Sequence, residues 1–158
     1  MDKVLVLGAL EELGFEMTAS LLEEGYEVSG IHLEIGNETK YNLRRMEIGR
    51  NANFEEVDLN EWLKQDDFTE SSMFLFVNGF DENVKRVWME NRELKGKLET
   101  ISNNPDYSII FIYPFSEWEI RSKKQYAGNT MSFFVPLSYD RNEFPSIFKA
   151  ILDVVDLQ

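Results

Sequence analysis

The side chains able to do chemistry are few, and they fall at the ends of apolar runs. Gly8 to Gly14 follow Val4-Leu5-Val6-Leu7. His32 stands near the end of a run from Glu27 to Leu33, Asp58 follows Phe54 to Val57, and Asn78-Gly79 follow Met73 to Val77. Asn78 and Gly79 either line a ligand crevice or make a plain strand-to-loop turn. His32 is the one histidine of the chain and there is no cysteine. Thiol catalysis, disulfides, Cys-type zinc sites and two-histidine metal motifs are therefore excluded. Asp66 and Asp67 are adjacent acids of the kind that stay solvated in a loop, so no metal site is expected. Lys40, Arg44, Arg45 and Arg50 form a basic island with Glu47 as its only acid. It either holds a phosphate or offsets the acidic first segment, where residues 1–38 carry nine acids against Lys3.

Positioning these residues takes a regular alternation of strands and helices. Val4 to Leu7 is a continuous apolar run, the mark of a strand buried on both faces. Leu13, Met17, Leu21 and Leu22 give the next helix its apolar side, and Gly25 stands where a left-handed C-terminal cap belongs. Glu27 to Leu33 reads as strand two, 38–48 as helix two, Phe54 to Val57 as strand three, and Asn60 as the cap of a brief helix ending at Lys64. Met73 to Val77 is strand four. One long helix is expected from Glu82 to Ser102, with Val84, Val87, Trp88, Leu94, Leu98 and Ile101 near one stripe and Pro105 beyond its end. Ser108 to Tyr113 is strand five. Ser116 and Glu119 make an S-x-x-E capping box for a short helix, so Ser116 reads as an N-cap. Met131 to Val135 is strand six, and the last helix runs from Glu143 to Val155.

Strict alternation beginning with a strand predicts an α/β fold: a single doubly wound, Rossmann-like domain over 1–158. Its mostly parallel sheet has about six strands in the order 3-2-1-4-5-6. The ligand crevice of such a sheet lies outside the carboxyl ends of strands one and four, among Gly8 to Gly14, His32 to Glu34, Asp58 and Asn78 to Phe80. The rival order, 2-1-3-4-5, is that of flavodoxin and receiver domains. A receiver domain needs an acidic pair after strand one, where this chain has Gly8-Ala9.

Composition narrows the partners. The chain has 158 residues, 43% hydrophobic and 28% charged, enough for one real core, and its net charge is −13. Such an acidic surface repels phosphodiester backbones and anionic lipid, so neither nucleic acid nor a membrane is an expected partner. No apolar run approaches the ~20 residues of a membrane span. Met1-Asp2-Lys3 leads straight into a strand without a basic leader, and the expected location is the cytoplasm.

The stretch from Val4 to Phe15, followed by Leu21-Leu22-Glu23-Glu24-Gly25-Tyr26-Glu27-Val28, resembles the opening of an atypical or extended short-chain dehydrogenase/reductase of the epimerase-like group. Val57-Asp58-Leu59 is similar to that family's G-D-L segment, Asn78-Gly79 to its turn after strand four, and Ser116 stands near the place of its catalytic serine. The resemblance spans about residues 1–116. It implies a dinucleotide crevice whose remnant would be Gly8, Gly14, His32, Asp58, Asn78 and Gly79, with NAD or NADP as cofactor if the site works. It also implies a homodimer through the helix at 82–102.

The departures point the other way. The family's G-x-x-G-x-x-G has its middle glycine replaced by Glu11, whose side chain blocks the approach of a pyrophosphate and whose charge repels it. Glu12 and Glu16 add acid to the same helix start, and all three are expected to satisfy its first-turn amides. The family's Y-x-x-x-K is missing: Tyr126 is followed by Thr130 and Tyr113 by Glu117, while Lys123 and Lys124 precede Tyr126. No catalytic residue is assigned. The expectation is a non-catalytic Rossmann-like domain, without cofactor, that binds a protein partner or small ligand. The alternative is an NAD(P)-dependent oxidoreductase or epimerase with an atypical cofactor loop.

Overall fold

A computed structural model describes residues 3–33, 35–36, 38–65, 73–122, 129–136 and 141–156. Six strands, β1 (Lys3–Leu7), β2 (Val28–His32), β3 (Phe54–Asp58), β4 (Met73–Asn78), β5 (Tyr107–Pro114) and β6 (Thr130–Val135), form one sheet. Their order is 3-2-1-4-5-6 and every ladder is parallel. This is the expected doubly wound, Rossmann-like α/β fold. The connecting helices are α1 (Glu12–Glu23), α2 (Glu38–Ile48), α3 (Leu59–Lys64), α4 (Glu82–Glu90), α5 (Arg92–Ser102), α6 (Trp118–Arg121) and α7 (Phe144–Asp156).

The two-residue period of a strand divides the core. Val4 and Val6 of β1 face a layer with Phe76, Ile110, Met17 and Phe148, beneath α1, α2 and α7. Leu5 and Leu7 face the opposite layer, with Leu75, Val77, Phe111 and Leu98, beneath α3, α4 and α5. Because both faces are covered, β1, β4 and β5 are apolar almost throughout, which is why they are visible as runs in the sequence. None of the helices described is long and apolar enough to cross a membrane.

Three local expectations are corrected. The helix expected over 82–102 is two helices. Asn91 lies between them in an extended conformation (φ −92°, ψ 106°), and its side chain accepts from the Leu94 amide at 3.0 Å. Asparagine competes for backbone amides, so here it starts a new helix instead of continuing one. The cap of α3 is Asp58, not Asn60: its carboxylate accepts from the Asn60 and Glu61 amides at 3.1 and 3.4 Å. Ser116 caps nothing. It lies inside a 3-10 turn, Phe115–Glu117, that runs into α6 with no side-chain cap bond. Asp66, Asp67, Lys123, Lys124 and Tyr126 fall outside the described residues.

Candidate functional site: the crevice at the carboxyl ends of the strands

The turn from β1 to α1 is tight and built on glycines. Gly8 adopts φ +75°, a conformation that favours glycine. Its carbonyl receives the Glu11 amide at 3.0 Å. A Cβ at Gly14 would lie 1.9 Å from the Gly8 carbonyl oxygen, so the first turn of α1 can sit this close only with glycine there. Gly30 gives the same freedom underneath: a Cβ on it would lie 2.6 Å from that of Ala9.

A carboxylate of the chain itself occupies the amides that this turn exposes. Asp81, at the start of α4, accepts from the Leu13 amide through Oδ1 and from the Gly14 amide through Oδ2, both at 3.0 Å. Its own amide donates to Asn78 Oδ1 at 3.0 Å, which fixes the β4–α4 turn. As N-cap of α4, Asp81 makes no side-chain bond to its own helix; its side chain serves α1 instead. It is 8% exposed. Burial pushes its carboxyl above the usual range, the two amides pull against that shift, and the Glu11 charge adds to it.

The expectation that Glu11 serves the first-turn amides of α1 is corrected, while Glu12 does lie in that turn. Glu11 is the N-cap residue but makes no capping bond. Its side chain is 6% exposed. Oε1 accepts from Asn83 Nδ2 of α4 at 2.6 Å, and Oε2 is buried with no hydrogen-bond partner among the described residues. Asn83 also lies 3.4 Å from both the Ile35 carbonyl and the Tyr41 hydroxyl. Tyr41 donates to the Ile35 carbonyl. Burial first, then the nearby Glu11 carboxylate, pushes the Tyr41 phenol well above its usual pKa. Arg44 donates to the Leu10 carbonyl at 2.6 Å and lies over the Phe15 ring. Side chains from α2 and α4 thus fasten the β1–α1 turn from both flanks.

The other expected site residues have structural partners. His32 ends β2 beside Asp58 in register. It is 4% exposed and packs edge-on to Tyr41, with ring centres 4.8 Å apart. Burial and then the Arg45 charge lower its pKa, and its Nδ1 has no partner among the described residues. Asp58 caps α3. Asn78 is fully buried. The Gly79 amide donates to the Ile112 carbonyl at 2.6 Å, and a Cβ there would meet the Tyr113 ring at 2.7 Å. Gly14 and Asn78 are therefore joined through Asp81, with the Gly8 carbonyl against Gly14, while His32 and Asp58 sit at the ends of β2 and β3 along the same edge of the sheet. The basic island is divided: Arg44 binds the Leu10 carbonyl, and Arg45 holds Glu56 through two bonds of 2.7 and 2.9 Å.

Asp81, Asn83 and Tyr41 were not singled out by sequence. Asp81 stands just before a helix, where an acid reads as a local cap. The order 3-2-1-4 holds the better signal, because it brings the residue after β4 against the β1–α1 turn. A dinucleotide's phosphates do not fit the turn so arranged. The amides they would use are bonded to Asp81, and a second buried carboxylate lies beside them.

No family model matches the chain, and no curated protein matches it in sequence. Solved structures do. Gre2 of Candida albicans, in complex with NADPH, is 17% identical with a TM-score of 0.47, over 73% of this chain and 38% of that one. PKMT2 of Rickettsia typhi is 18% identical with a TM-score of 0.44, over 68% of this chain and 20% of that one. A short-chain dehydrogenase/reductase of Burkholderia vietnamiensis is 12% identical with a TM-score of 0.46, over 91% of this chain and 87% of that one. The match thus spans well under half the length of the first two. These are likenesses of fold alone, and the fold is the doubly wound, Rossmann-like one.

Proposed function

We propose that this chain is a non-catalytic Rossmann-like domain, related to the short-chain dehydrogenases/reductases, whose dinucleotide crevice is closed from within and which acts by binding a protein partner. The observation that carries the reading is the pair of bonds from the Leu13 and Gly14 amides to Asp81. An anion already occupies the positive end of α1. A bound pyrophosphate would have to displace it. Breaking two hydrogen bonds to a charged group costs about 3–6 kcal/mol, equivalent to about two to four decades in dissociation constant. Glu11 adds a second buried charge of the same sign.

The alternative, an NAD(P)-dependent oxidoreductase or epimerase, draws on the glycine turn at Gly8 and Gly14, which has the backbone shape that phosphate binding needs. It requires Asp81 to leave the helix on binding. As for partners, a homodimer through 82–102 would have to use what α4 and α5 leave outside. Their stripe of Val84, Val87, Trp88, Leu94, Leu98 and Ile101 is buried on the chain's own sheet, with Met89 exposed. Phe115, Trp118 and Ile120, all exposed around α6, offer a protein partner a larger apolar surface.

The test is a thermal-shift series with NAD and NADP on wild type and on Asp81→Ala/Glu11→Gly. The reading expects no stabilisation of wild type at millimolar ligand and a measurable shift in the double variant. Stabilisation of wild type by micromolar ligand would establish the alternative instead.

A further inference from the structure

Helix α2 is the least anchored of the longer helices. Of its eleven residues only Tyr41 and Ile48 are buried, while Leu43 and Met46 are exposed. In α5, of the same length, five are buried. Few buried side chains put an element at the low end of local stability. One of the two anchors, Tyr41, also covers His32. The His32 ring is 4% exposed and lies edge-on to Tyr41, and its Nδ1 is buried with no hydrogen-bond partner among the described residues. A neutral ring can keep its proton on the other nitrogen. A cation carries one on each, and the proton on Nδ1 then has no acceptor.

The charges around the ring do not offset this. Arg45 of α2 repels a cation there. Glu38 of α2 and Glu56 of β3 attract it, but both are paired with Arg45. Glu11 of the β1–α1 turn attracts it too, and accepts from Asn83. Asp58, the register partner of His32 on β3, caps α3, and Arg44 is held by the Leu10 carbonyl. Glu34 lies outside the described residues.

We propose that His32 is an acid-sensitive latch for α2: proton uptake by its ring releases this one helix from the sheet while the other layers stay packed. Water reaches the ring where Tyr41 withdraws, so hydrating His32 and unseating α2 are one event. In the released state the ring returns to the ordinary histidine pKa of about 6.5. In the seated state burial and Arg45 hold it lower, so the released state binds the proton more tightly. The seating of α2 is therefore at full strength above about pH 6.5 and weakens as pH falls through the lowered value. Release takes Arg44 from the Leu10 carbonyl and Tyr41 from beside Glu11, which undoes one flank of the β1–α1 turn. The inference stands whether or not a nucleotide binds the crevice.

His32 is the only histidine, so the imidazole signals in proton NMR report one group. Their midpoint should lie below about 6.5. Amide exchange, corrected for the intrinsic effect of pH, reads the helix. Protection of α2 should fall several-fold from about pH 7.5 to about pH 5.5, towards a limit of about tenfold set by an exposed imidazole. Protection of α5 should hold. His32→Phe and His32→Gln, neither of which titrates, should each keep α2 protection constant over the same range. An imidazole midpoint at or above the ordinary value, wild-type α2 protection that ignores pH, a fall in α5 equal to that in α2, or an equal fall in both variants would each overturn the proposal.

Discussion

Helices α3 and α1 both begin with a carboxylate bonded to two first-turn amides, but the carboxylates come from different distances. At α3 it is Asp58, the residue just before the helix, reaching the amides of Asn60 and Glu61. At α1 it is Asp81, which arrives from the start of α4, 68 residues from Leu13. The local cap stabilises one short helix. The distant one also locks α4 against the β1–α1 turn through the Leu13 and Gly14 amides. A capping bond made through tertiary structure is thus a stability element and, in the reading proposed above, also a plug.

The largest effect expected of any change at these caps is that of Asp81→Ala. It leaves two buried amides without an acceptor, at about 1–3 kcal/mol each, so the variant should lose roughly 2–6 kcal/mol in a urea titration. A loss no greater than that of a surface cap would erase the distinction between the two helices. Asp58→Ala should cost about 1–2 kcal/mol by the same measurement, the ordinary range for a lost N-cap. Asn91→Ala removes a single capping bond at α5 and should cost about 0.5–1 kcal/mol. Smaller still is a pH effect. Folding raises the Asp81 pKa above that of an unfolded carboxyl, about 3.9. The folded state therefore holds this proton more tightly, and the resulting stabilisation is full below that range and fades as pH rises through the raised value. The advantage of wild type over Asp81→Asn should narrow as denaturation midpoints are followed upward from about pH 4. Glu11→Gln should flatten that dependence, since it keeps an acceptor for Asn83 and removes the neighbouring charge.

What could be read from the sequence follows the same division between local and distant. β1, β4 and β5 are buried on both faces, so their apolar runs announced them and the strand order followed. Gly8 and Gly14 are needed by the turn they occupy, and their spacing was visible. The break at Asn91 was hidden because the apolar stripe continues across it, from Val84 and Val87 to Leu94 and Leu98. From sequence Glu11 reads as a helix-start acid, because acids in that place are ordinarily solvated. It is buried because Asn83 and Tyr41 come to it from α4 and α2, and neither contact has a local signature. Asp81 was missed for the same reason: its type and position suit a local cap, and only the fold reveals the other helix.

The most direct test of the closed crevice is calorimetric titration of the wild-type protein with NAD and with NADP. With Asp81 holding the Leu13 and Gly14 amides, no saturable binding is expected at millimolar ligand, and Asp81→Ala/Glu11→Gly should bind measurably under the same conditions. A wild-type dissociation constant in the low micromolar range would contradict the account, because it would mean that the carboxylate gives way to a phosphate at little cost.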